Sequence, residues 1–210
     1  VGISVLPNFI VLEGIDGAGT TTQLELLRTA CRTHGVRCVT TSEPTEGPIG
    51  KLIRHYLSGA EPVQPRTLAL LFAADRREHL HRPEDGIVRL TERGSYVISD
   101  RYLFSSLAYQ STECGFEYVL GLNNDFPLPE HLVYVDVPVE LGLKRLEGRA
   151  MREITETEEI QRNVQALYRK TIERFSDSGM KIHVIDGNRS ADEIASEIWS
   201  RLALVPIQET

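Results

Sequence analysis

No apolar run in this 210-residue chain approaches the roughly 20 residues needed to cross a bilayer. The opening stretch, Val1 to Asn8, lacks the basic start and long apolar segment of an export signal. The expectation is a soluble, cytoplasmic protein that makes no use of a membrane. Cysteine is scarce as well: Cys31, Cys38 and Cys114 show no paired metal-ligand spacing and leave an odd thiol, which fits a reducing compartment rather than a disulfide framework. Basic charge is in deficit. With 23 Lys and Arg against 30 Asp and Glu, the formal net charge is −7. That argues against a generic nucleic-acid binder, because neutralising phosphates along a duplex takes a broad basic surface. A small anionic ligand stays compatible, since a few focused arginines and backbone amides can hold it inside an acidic protein. The four lysines are Lys51, Lys144, Lys170 and Lys181.

What is present is a core. At 41% hydrophobic and 25% charged, the chain reads as one globular domain over residues 1–210, without repeats, low-complexity tracts or an interdomain linker. Short apolar runs recur at Phe9 to Leu12, Val36 to Val39, Tyr96 to Ile98, Leu132 to Val137 and Ile182 to Ile185, separated by segments of helical character. Such alternation predicts an α/β fold: a five-stranded parallel sheet covered by helices on both faces. Helices are expected from Thr20 to Cys31, Ile49 to Leu57, Pro65 to His81, after Pro83, and along Thr155 to Phe175. Ser190, with Glu193 three residues on, has the form of a capping box for the last helix. Val1 to Pro7 carries no sign of chemistry.

After the first run come Gly14, Ile15, Asp16, Gly17, Ala18, Gly19, Thr20, Thr21 and Thr22. These have the glycine spacing, preceding strand and following helix of a phosphate-binding loop. Glycines let backbone amides turn inward around phosphate oxygens, and the helix amino terminus adds its positive end. Thr21 holds the place of the hydroxyl that ligates magnesium. The position that would be lysine is Thr20, which offers a hydrogen bond without the charge, and no lysine lies within reach of a one-residue slip.

Two signatures together resemble the thymidylate kinase family. Phe9 to Gly19 is similar to its opening strand and loop, and Asp100 to Gln110 (DRYLFSSLAYQ) to its second motif, so a P-loop NTPase-type three-layer fold is implied. By that resemblance Asp100 holds magnesium, Arg101 meets the acceptor phosphate, and Tyr109 lies against the deoxyribose, with Ser106 and Gln110 beside it. The segment Leu71 to His79 resembles the family's base-recognition helix, in which Phe72 stacks on thymine and Arg76 donates to its ring carbonyl. Read without the family, Phe72 is a core residue and Arg76 a solvated charge. Arg54 matches an arginine that reaches the monophosphate, Asp16 an acid near the acceptor sugar, and Ser42 stands where many members have arginine. A mobile lid is expected at about 146–157, with Arg149 and Arg152 reaching over ATP and offsetting the absent lysine.

The activity implied is transfer of the γ-phosphoryl group of ATP to dTMP, with Mg2+ as cofactor, small nucleotides as partners and a homodimer as assembly. Two alternatives stand beside it: a catalytically weakened nucleotide-binding protein, and a kinase for another (deoxy)nucleotide. Thr20 keeps the first alternative open.

Overall fold

The computed structural model describes residues 4–147, 155 and 157–206. Its strands are β1 (Val5–Glu13), β2 (Cys38–Ser42), β3 (Tyr96–Asp100), β4 (Leu128–Asp136) and β5 (Lys181–Asp186), all parallel in the order β2-β3-β1-β4-β5. Because β1 is central, its alternate residues supply two cores. Ile10 and Leu12 face α1 (Thr20–Thr33) and α10 (Ala191–Leu202), burying Leu24, Leu27, Ile194 and Ile198. Phe9 and Val11 face the opposite layer, where Leu103, Phe104 and Leu107 of α5 (Leu103–Tyr109) meet Val164 and Tyr168 of α9 (Glu158–Arg174). That is the expected three-layer α/β arrangement. The period of two along the strand dictates it.

The remaining helices are α2 (Pro48–Leu57), α3 (Pro65–His81), α4 (Ile87–Glu92), α6 (Ser111–Cys114), α7 (Phe116–Asn123) and α8 (Val139–Leu146). Pro48 and Pro65 open their helices, where a missing amide hydrogen costs no intrahelical bond. The Ser190 capping box is formed, with Glu193 N donating to Ser190 Oγ and Ser190 N to Glu193 Oε2.

Several expected boundaries move. β1 starts at Val5, not Phe9: an irregularity between Leu6 and Ile10 carries Asn8 at φ 61°, and Glu130 accepts its N–H at 2.8 Å. Val36 lies outside the sheet, because Gly35 at φ 67° turns the chain and Val36 N donates to Cys31 O at 2.8 Å, closing the end of α1. The helix expected after Pro83 waits for Ile87, behind Gly86, whose backbone packs too tightly against Arg82 to admit a side chain. Thr157 caps α9, which therefore begins past Thr155. Arg149, Arg152 and most of the expected lid at 146–157 lie outside the described residues.

Candidate functional site

Parallel strands end on one edge, and β1, β3 and β4 deliver Glu13, Asp100 and Asp136 there. Open α/β sheets bind ligands at this edge. A cavity of about 500 Å³ opens over it, walled by the 15–22 loop, Ser42 to Pro44, Phe72 and Arg76 from α3, Asp100 to Tyr102, and Tyr109 and Gln110.

The loop after β1 takes its shape from close approach. Gly17 stands at φ 77°, and a Cβ there would fall 2.1 Å from Gly142 O on α8; Gly19 stands at φ 93° as the residue before α1. Thr20 is the first residue of that helix, so the helix amino terminus points into the cavity with no acidic side chain in its first turn. Thr21 Oγ1 donates to Asp100 Oδ2 at 2.6 Å. The other oxygen, Asp100 Oδ1, is buried with no hydrogen-bond partner, the condition of a carboxylate shaped for an acceptor-only task. Hydroxyl and carboxylate oxygens suit Mg2+, which takes one or two protein oxygens and completes its shell with water and phosphate. Among the described residues no group of three or more His, Cys, Asp or Glu forms a full protein cage.

Arg101 follows β3 in a left-handed conformation, φ 72°, with its N–H donating to Leu12 O at 2.9 Å. Its guanidinium donates to Gly14 O at 2.9 Å, to Ser105 Oγ at 3.2 Å and to Asp16 Oδ1 at 2.8 Å, and lies 5.3 Å over the Tyr109 ring. Desolvation opposes its charge, but Tyr109, Tyr168, Asp16 and Asp100 around it hold its pKa well above the usual value. Tyr109 is the reverse case, its hydroxyl pushed up by burial and then by Asp16. Beneath Arg101 sits Glu13, fully buried. Its carboxyl accepts from Tyr102 N, Ser105 N, Ser105 Oγ and Tyr168 OH at 2.6–3.1 Å, and burial raises its pKa to about 7 against the pull of Arg101.

The opposite wall is built on buried ionic groups. Arg76 is buried completely, not solvated: it pairs with Glu43 at 2.7 Å and donates to Asn123 Oδ1 at 2.5 Å and Ser106 Oγ at 3.1 Å. His79 Nδ1 lies 3.1 Å from Glu43, and Asp75 accepts from Thr45 N and Thr45 Oγ1 at 2.7 and 2.6 Å. One face of α3 thereby pins the 43–45 loop. Phe72, one turn before Arg76, lines the same wall. Gln110 Oε1 and Tyr109 OH are buried without partners. Arg54 is spent on that loop, donating to Thr45 O at 2.6 Å and Pro44 O at 2.5 Å and pairing with Glu46 at 2.9 Å. Its guanidinium is not part of the cavity wall.

Sequence reading missed Glu13, Glu43, Gln161 and Arg145. Arg145, near the end of α8, donates to Gly187 O at 3.0 Å and approaches the loop carbonyls of Gly17 and Ala18 at 3.5 and 3.4 Å. It sits on the last turn of α8, four residues before Arg149 in the sequence, and that spacing was the available signal.

A glycine-lined turn between the central strand and a helix, with hydroxyl and carboxylate at the helix mouth, defines a P-loop nucleotide kinase. The family model for thymidylate kinase matches residues 12–198. Over 197 residues the chain is 38% identical to the "Probable thymidylate kinase" of Methanococcus aeolicus, covering 92% of this chain and 95% of that protein. It is 38% identical over 200 residues to the "Probable thymidylate kinase" of Thermococcus onnurineus, covering 90% and 94%. The chain belongs to the thymidylate kinase family.

Proposed function

We propose that this chain transfers the γ-phosphoryl group of ATP to a phosphate oxygen of dTMP, giving dTDP and ADP. Family membership supports the reaction class. The observation that carries the site is Thr21 and Asp100 joined at the amino terminus of α1, with Asp100 Oδ1 left over. Those two residues would hold Mg2+, which supplies charge neutralisation on the donor phosphates when bound. Amides of the 17–21 segment take the phosphates. Arg101, held by Gly14 O and Asp16, presents a fixed cation to the acceptor phosphate. A monoester phosphate is already anionic near neutral pH, its second pKa being about 6, so the acceptor needs no strong base.

On the acceptor side Phe72 offers a face for thymine, while Arg76, Ser106 and Gln110 offer polar groups to its edge. Tyr109 closes the sugar end, and Asp16 lies beside it. Arg54 acts through the 44–46 loop unless nucleotide binding draws it inward. Arg149 and Arg152 are the candidates to supply the charge that Thr20 lacks. A homodimer is the proposed assembly. No helix among the described residues is long and apolar enough to cross a membrane; the proposed site of action is the cytoplasm. The test is ADP release with Mg-ATP against dTMP, dUMP, CMP, GMP, AMP and thymidine. Turnover with dTMP well above the others is expected; turnover with another acceptor instead overturns the substrate, and none with any overturns the kinase reading.

A further inference from the structure

The buried stripe of α9 runs Gln161, Val164, Tyr168 and Thr171, and its first member is an amide with no exposure at all. A buried amide costs free energy unless every polar atom is matched, and an aliphatic side chain would fill the same helical position without that demand. The matching is complete. Gln161 Nε2 donates to Asp16 Oδ2 at 2.7 Å and to Thr155 O at 2.9 Å, while Gln161 Oε1 accepts from Asp16 N at 3.1 Å. Thus one side chain grips both the backbone and the carboxylate of the phosphate-loop acid, and with its second hydrogen holds the carboxyl-terminal end of the expected lid. Thr155 Oγ1 adds its own bond to Asp16 Oδ2 at 3.1 Å. The remaining oxygen, Asp16 Oδ1, is the one that receives Arg101 Nη2 at 2.8 Å.

We propose that Gln161 is a positioning residue for phosphoryl transfer: it sets the peptide and carboxylate of Asp16 so that Arg101 is aimed at the acceptor, and ties that setting to the position of Thr155. The inference rests on the kinase reading above. Gln161 touches neither substrate nor reacting atoms and works only through Asp16. The charged and titratable groups facing this junction are Asp16 from the loop, Arg101 from the end of β3, Tyr109 from α5 and Tyr168 from α9. Of these, Asp16 is bonded to Gln161 through both its N–H and its carboxylate, and the Tyr109 hydroxyl lies beside both side chains.

Replacing the amide by a carboxyl makes the test specific. In Gln161→Glu a second carboxyl meets Asp16 Oδ2 at hydrogen-bond distance, so the pair holds together only while it shares a proton. The full chain and its Gln161→Glu and Gln161→Met variants are assayed at pH 6 and pH 8 for kcat and KM, for ADP affinity, and for melting temperature. The expected result at pH 8 is a kcat for Gln161→Glu about 10- to 100-fold below wild type, the scale of a misplaced catalytic group. That deficit shrinks to a few-fold at pH 6, with KM for ATP changed less than kcat. Gln161→Met, which has no proton to share, is impaired equally at both. If both variants melt lower yet keep wild-type kcat and KM well below their melting temperatures, Gln161 is structural only and the proposal is overturned. If the wild-type chain transfers no phosphoryl group, the kinase reading fails separately, and ADP affinity decides: Gln161→Glu must bind about 10-fold more weakly at pH 8 than at pH 6, relative to wild type, and equal ratios overturn the proposal.

Discussion

Glu13→Gln should make the protein more stable than wild type, by an increment that grows with pH. The folded carboxyl has a pKa of about 7, raised by burial from an unfolded value near 4.5. A carboxyl that titrates higher when folded binds more protons in the folded state between those two values, so stability falls as pH rises through that window. The loss starts near pH 4.5 and is complete above pH 7. A shift of this size corresponds to about 3 kcal/mol. Glutamine keeps the geometry: its oxygen accepts from Tyr102 N and Ser105 N, and its NH2 meets the hydroxyls of Ser105 and Tyr168, which can turn to accept. Urea denaturation at pH 5, 6, 7 and 8 measures the difference between variant and wild type. A constant offset between the two curves reports side effects of the substitution; the slope reports the carboxyl. A gain of about 3 kcal/mol across that range is expected, and a flat difference would refute the claim that burial, rather than Arg101, controls this group.

Four further outcomes follow from the same structure. Asp100→Asn should lower kcat with Mg-ATP by about 100- to 1,000-fold, since it removes the negative charge and one of the two carboxylate oxygens that would hold Mg2+ beside Thr21; ADP release measures it. Thr20→Lys should raise kcat, by up to about the same factor if no arginine already supplies that charge and by little if Arg149 or Arg152 does. Arg76→Met should cost about 3–5 kcal/mol of stability, because it leaves Glu43 buried without its cation, and thermal unfolding checks it. Stability should also fall in acid on account of His131, whose pKa burial lowers to about 4. The folded ring binds fewer protons than the unfolded one, so its contribution is present above pH 6.5 and is lost as pH drops towards 4. A His131→Asn variant, followed by urea denaturation over that range, should show a flatter dependence.

How far the sequence is legible depends on whether a residue's environment is local. Strand cores such as Tyr96 to Ile98, the helix start at Pro65 and the Ser190 box depend on neighbours a few residues away, and all three form where periodicity and capping place them. The glycine turn before α1 is legible for the same reason. Glu13 and Gln161 are not, because a buried polar group is defined by what reaches it from 92 or 145 residues away, and no spacing rule carries that information. Arg76 shows the difference at one position. By helical pattern alone it is equally a surface charge, and only the convergence of Glu43, Ser106 and Asn123 buries it. β1 begins before its apolar run because, although Pro7 and Asn8 interrupt that run, Glu130 on the neighbouring strand satisfies the irregular backbone.

The proposed function requires that a phosphate loop with Thr20 in the lysine position still support transfer to dTMP. Its most direct test follows label from γ-labelled ATP in the presence of Mg2+, dTMP and the wild-type chain, with products separated by chromatography. Label is expected in dTDP, formed one for one with ADP and abolished without dTMP. Label found only in inorganic phosphate, or retained in ATP while nucleotide binds, would contradict it.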